Sequence, residues 1–160
     1  MSQQTPITVR PARMDDLATL VDFNCKLAWE SEHHTLDPRI VEPGVAALLA
    51  DPVGRGRYWV ATHGESGPVV GQLQITREWS DWRNGWFWWL QSVYVDAQFR
   101  RMGVFSSLVA AMKQAARQEG DVIGLRLYVE QENHAAQRTY ERLGLQPIPF
   151  QLYQQLPIES

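Results

Sequence analysis

Hydrophobic periodicity changes at Gly56, and that change limits the folds open to this chain. Before it the pattern is mostly helical. "ITVRPAR" alternates and stops at a proline, which predicts a first strand. "MDDLATLVDFNCKLAWES" then opens with acidic residues suited to a helix start. Leu17, Leu20, Val21, Asn24, Leu27 and Ala28 fall near a 3.6-residue period, giving that helix one mostly apolar face. "PRIVEPGVAALLAD" predicts a shorter second helix, interrupted near Pro43 and Gly44.

After Gly56 the period is two. "RYWVATH" and "VVGQLQITREW" predict strands joined by the turn residues "GESGP", and "SDWRNG" predicts the next hairpin loop because Asn-Gly accepts positive φ. "WFWWLQSVYV" follows as a long strand without clean alternation, as expected when both its faces are covered. Phe105, Leu108, Val109, Met112 and Ala116 then restore the helical period until Gly120. "VIGLRLYV" predicts a strand, "NHAAQRTYERLG" a helix, and "LQPIPFQLYQQL" two short strand-like pieces around prolines. The order is strand, two helices, three strands, helix, strand, helix, strand or strands. It predicts a mixed α/β fold in one domain over residues 1–160, a length that suits a single core.

Composition narrows the partners. Fifteen Lys and Arg against eighteen Asp and Glu give a net charge of −3, and no basic run tracks a phosphate backbone, so nucleic acid is not expected. Cys25 is the only cysteine, which excludes an internal disulfide and any multi-thiolate zinc site, and its place in a helical apolar pattern makes it a core residue. "MSQQTPITVR" lacks the basic start and apolar stretch of a secretory signal, and no apolar segment approaches spanning length. The expected location is therefore cytoplasmic, without a membrane partner.

The stretch "VYVDAQFRRMGVFSSLVAAM", Val93 to Met112, carries chemistry. A strand that reaches a helix through a tight bend aims the helix's first N–H groups at the bend, where they and the macrodipole make an anion site. Arg100 and Arg101 add positive charge, and Gly103 lets the backbone approach a bound group.

This stretch, with "NHAAQRTYERLGL" about thirty residues later, resembles the GNAT superfamily of acyl-CoA-dependent N-acetyltransferases. The family's first motif is Gln or Arg, two residues, Gly, one residue, then Gly or Ala. Arg100 and Gly103 match it, and Phe105 stands where Gly or Ala is usual. Asn133, Ala136, Tyr140, Gly144 and Leu145 meet its second motif without a gap. The resemblance is close from Val93 to Leu145. It implies a central, mostly antiparallel sheet flanked by helices, with splayed fourth and fifth strands. It further implies acetyl-CoA held by Val93, Tyr94 and Val95 along the pantetheine arm, and by Arg100, Arg101, Met102, Gly103, Val104 and Phe105 at the diphosphate. Asn133 would help hold the arm, cap the following helix, or do both.

Acetyl transfer to an amine needs a neutral nucleophile, a polarised carbonyl and a proton for the departing thiolate. The resemblance gives the last role to Tyr140, and the carbonyl to an N–H of the fourth strand near Val93. Trp89 and Tyr128 occupy about the places where some members carry a basic glutamate. Glu78, Glu30 and Glu32 remain as candidates, with Glu130 the weaker one. If the first helix continues, Glu30 shares a face with His33 and His34, an arrangement suited to a basic substrate. No metal is expected, since adjacent histidines diverge and no ligand-spaced partner follows. Five of seven tryptophans lie in Trp79–Trp89, with Trp86 and Trp88 on one strand face and Phe87 and Trp89 on the other. They predict core plus a homodimer contact, or an aromatic wall for the acceptor. The reading that follows is acetyl-CoA-dependent N-acetylation of a small-molecule or peptide amine. The competing one is a catalytically weak acyl-CoA sensor or assembly module. Another kind of nucleotide binder lacks support, since neither GxxxxGK nor GxGxxG is present.

Overall fold

The computed structural model describes residues 5–158; residues 1–4, the start of the segment tested above for a leader, lie outside it. The described chain falls into two compact units, one ending at Tyr128 and the other beginning at Val129. The first holds β1 (Ile7–Pro11), α1 (Leu17–Glu32), α2 (Pro38–Ala50), β2 (Arg57–His63), β3 (Val69–Ser80), β4 (Gly85–Val95), α3 (Val104–Glu119) and β5 (Val122–Leu127). The second holds α4 (His134–Arg142). Among the described residues no helix is long and apolar enough to cross a membrane.

The five strands form one sheet in chain order, antiparallel from β1 to β4 and parallel between β4 and β5. The parallel pair needs a crossover, which α3 supplies. Neighbouring residues on a strand point to opposite faces, and β3 shows what covers each. Gln72 hydrogen-bonds Asn24 of α1, whereas a Cβ on Gly71 would lie 2.7 Å from Val104 of α3. Helices α1 and α3 therefore sit on opposite faces, and Gly71 permits the close approach of α3. That helix turns Val104, Leu108, Val109, Met112 and Ala116 inward, the stripe its period predicts.

Helix α2 is continuous through Pro43, contrary to the predicted interruption. Pro43 and Gly44 together cost about 4 kcal/mol. Val45 and Leu48 are nearly fully buried against α1 and β2, which returns roughly 3–6 kcal/mol, and half-buried Val41 and Leu49 add to it. Cys25 packs against the same cluster. Helix α1, by contrast, does not continue past Glu32. His33 takes a left-handed conformation (φ 51°), and the His33 and His34 amides return to the Trp29 and Ala28 carbonyls.

The strand-like pieces expected around Pro147 and Pro149 do not form: residues 145–158 contain neither strand nor helix. Both prolines lack the N–H a ladder requires, and Ile148, Phe150 and Leu152 have no covering layer, remaining 55–79% exposed.

Candidate active site

Chain direction reverses between β4 and α3 through two left-handed residues. Asp96 caps a short turn at Ala97–Phe99, accepting from Gln98 N at 2.9 Å. Arg101 (φ 64°) and Gly103 (φ 80°, ψ 5°) then bend the chain into α3. Gly103 is the N-cap and offers no side chain, so α3 begins without a side-chain cap, and a Cβ there would meet nothing within 4 Å. A cleft of about 310 Å³ opens at this point, lined by Val95, Arg100, Arg101, Gly103, Val104 and Phe105 among others. The positive end of the α3 dipole and Arg101, exposed and in no ion pair among the described residues, suit this cleft to a diphosphate. Phe105 places a half-buried ring on the wall, filling space that glycine would leave open.

Arg100 is oriented differently. Its Nε donates to the Val95 carbonyl at 3.0 Å and its Nη2 pairs with Glu30 at the end of α1. Tyr94 Oη donates to the other Glu30 oxygen at 3.0 Å, while the Tyr94 ring packs on Phe23. The hydrogen bond from Arg100, aided by that from Tyr94, holds the Glu30 carboxyl below its ordinary range. Burial, and then Glu30, push the Tyr94 phenol upward. Glu30, Tyr94, Val95 and Arg100 thus converge at one corner.

At that corner β4 has lost its neighbour. Pairing of β4 with β5 ends at Leu90–Leu127, although β4 runs on to Val95. The strands are splayed as expected, leaving Val93, Tyr94 and Val95 with an unshared edge toward β5. A bulge opens this stretch: Gln72 pairs with Tyr94 and Gln74 with Gln91, so Ser92 and Val93 together oppose Leu73. Ser92 takes a left-handed conformation (φ 47°).

Other candidates lie elsewhere. Glu78 faces Phe87 across β3–β4, accepts from Trp89 Nε1 at 2.6 Å, and binds Arg126 through both oxygens at 2.9 Å. Glu78 thus belongs to a cross-strand cluster with Trp89 and Arg126, one residue short of the last β4–β5 pair and up to roughly 13 Å along the strand from Val93. Glu32 is exposed at the end of α1. The shared face of Glu30 with His33 and His34 is not made, because the helix has ended and His33 packs edge-on against Trp29. Among the described residues no group of three or more His, Cys, Asp or Glu could hold a metal ion.

In the second unit, Asn133 Oδ1 accepts from Ala136 N at 3.1 Å and caps α4. Tyr140 is half-buried on α4, and burial raises its phenol pKa. Glu130 is exposed, and its carbonyl receives Gln137.

Three polar residues at the bulge escaped the sequence analysis. Asn24 Nδ2 donates to Tyr58 Oη at 3.0 Å, and Gln72 Nε2 donates both to Asn24 Oδ1 at 2.9 Å and to the Ser92 carbonyl at 3.0 Å. All three are buried. The only signal in the sequence was Asn24 itself, a polar residue within the apolar face of a helix.

The model of the acetyltransferase (GNAT) family matches residues 21–145. The chain belongs to that family. A possible acetyltransferase from Clostridium difficile 630 is 44% identical over 96% of this chain and 99% of its own, with a TM-score of 0.87. Two more distant structures share the fold. Glucosamine-6-phosphate N-acetyltransferase from Arabidopsis thaliana is 15% identical, with a TM-score of 0.71 over 94% of this chain and 99% of its own. A predicted acetyltransferase from Clostridium acetobutylicum, solved with acetyl-CoA, is 15% identical, with a TM-score of 0.75 over 94% of this chain and 97% of its own.

Proposed function

We propose that this protein transfers the acetyl group of acetyl-CoA to a primary amine of a small molecule or peptide. The observation that carries the reading is the unshared β4 edge at Val93–Val95, which leads through a short turn to a helix N-terminus without a side-chain cap beside Arg101. Backbone N–H and C=O groups along that edge suit the amides of a pantetheine arm, and the α3 amides suit its diphosphate. The family's use of acetyl-CoA, and a fold neighbour solved with it, support the same assignment.

Bound acetyl-CoA supplies the activated thioester. The Val93 N–H donates to the acyl oxygen as negative charge develops there. Tyr140 keeps its proton at neutral pH, since burial raises its pKa, and delivers it to the departing sulfur. Glu30, ionised and fixed by Arg100 and Tyr94, attracts and orients the amine. A carboxylate so stabilised is a poor base, so the acceptor reacts from its neutral fraction, and the proton its nitrogen sheds on acylation passes to water, which returns one to Tyr140.

The test is thiol release from acetyl-CoA with amines, amino acids, polyamines and peptides, beside calorimetry of acetyl-CoA binding. Acceptor-dependent release with a mass gain of one acetyl group is expected. Tight binding with no release above hydrolysis from any acceptor would point to the sensor instead.

A further inference from the structure

Three buried polar residues beside the β4 bulge form a hydrogen-bonded chain that ends on the backbone of half-buried Ser92. Gln72 reaches both Asn24 and the Ser92 carbonyl, and Asn24 reaches Tyr58. Four elements, α1, β2, β3 and β4, each supply one member. Two unfavourable features meet there. Ser92 is a non-glycine residue in left-handed backbone, and Gln72 Oε1 is buried without a hydrogen-bond partner. An apolar side chain at position 72 and a regular β4 would avoid both. They are retained at the residue before Val93, where β4 leaves β5.

We propose that Gln72 is a positioning residue for acyl transfer: with Asn24 and Tyr58 it holds Ser92 in the bulge and so aims the Val93 N–H at the acyl oxygen. The proposal rests on the acetyltransferase reading above. It follows from peptide planarity, because the Ser92 carbonyl that Gln72 grips and the Val93 N–H belong to one rigid unit pointing in opposite directions. Fixing the oxygen fixes the hydrogen. No charge is needed in this hydrogen-bonded chain, and the burial of Gln72, Asn24 and Tyr58 strengthens the hydrogen bonds that fix the Ser92 oxygen.

The experiment uses acetyl-CoA labelled with carbon-13 at the thioester carbonyl, bound to the full chain, alongside steady-state kinetics. In wild type the bound carbonyl resonance should move downfield as the N–H polarises it. In Gln72→Met that displacement should fall by about half or more, and kcat by about ten- to a hundredfold, with acetyl-CoA affinity kept within about threefold. Should Gln72→Met not fold, Tyr58→Phe removes the hydroxyl that anchors Asn24 and should give the same pattern in smaller measure. A displacement unchanged in a folded variant overturns the role of Gln72 even if kcat falls, since that loss would arise elsewhere. Wild type that fails to bind acetyl-CoA overturns the acetyltransferase reading itself, and this role with it.

Discussion

Glu30 and Arg100, 70 residues apart in sequence, are joined by an ion pair that ties the end of α1 to the loop entering α3. Their side chains keep 41% and 44% exposure, so screening limits the pair to about 1 kcal/mol or less. Glu30→Gln should therefore lower Tm by only about 2–4 °C at neutral pH. The sign of its pH dependence follows from the Glu30 pKa, which Arg100 holds below the ordinary 4.5. A lowered folded-state pKa stabilises above the unfolded value and is lost as pH falls through the folded one. Melts of wild type and Glu30→Gln should stay separated above about pH 4.5 and converge below it. A gap that widens on acidification would reverse the assignment.

Gly103 separates backbone cost from ligand cost. At φ 80° with open space around its Cβ, alanine meets strain and no clash, so Gly103→Ala should cost about 1–2 kcal/mol of stability. Gly103→Glu adds a carboxylate where the diphosphate is assigned, and acetyl-CoA affinity should fall by at least about tenfold more than in the alanine variant. Calorimetry on both variants decides it. Equal affinities would place the diphosphate away from α3.

Tyr140→Phe removes the assigned acid and leaves the ring. Turnover should drop by about 100-fold while acetyl-CoA affinity holds, because the proton matters only as the sulfur departs. Undiminished turnover with a good acceptor would remove Tyr140 from the chemistry.

The pH–rate profile tests the absence of a protein base. Glu30 is ionised above its lowered pKa, and the Tyr94 and Tyr140 phenols are raised above 10.0. None of the three titrates between about pH 5 and 10. Log kcat/KM for the amine should thus climb with unit slope toward the acceptor's own pKa, and shift when the acceptor is changed. A shoulder near neutrality that ignores the acceptor would reveal a base in the protein.

How much of this was legible depended on whether a feature is local. The bend at Gly103 and the stripe from Leu108 to Ala116 follow from backbone freedom and periodicity, and both could be read directly. The α2 interruption was misread because Pro43 is a local penalty, while Val45 and Leu48 repay it through tertiary burial. Arg100 and Arg101 are adjacent and alike in sequence and both line the cleft, yet only Arg100 is paired with Glu30. Nothing short of the fold separates them. The same holds for Gln72, whose partners Asn24 and Ser92 lie 48 and 20 residues away.

The tryptophan-rich hairpin gives a final contrast, because identical substitutions there should have opposite results. Trp88 is fully buried beside Trp59, with ring centroids 5.9 Å apart. Trp88→Ala should cost about 3–5 kcal/mol in chemical denaturation. Trp82, at the hairpin tip, is 89% exposed, and Trp82→Ala should change the stability of an isolated chain by no more than about 0.5 kcal/mol. A large loss from Trp82→Ala would mean that the tip is covered in solution. Sedimentation at several concentrations then identifies the cover, since a second copy of the chain would make the loss and the oligomer disappear together on dilution.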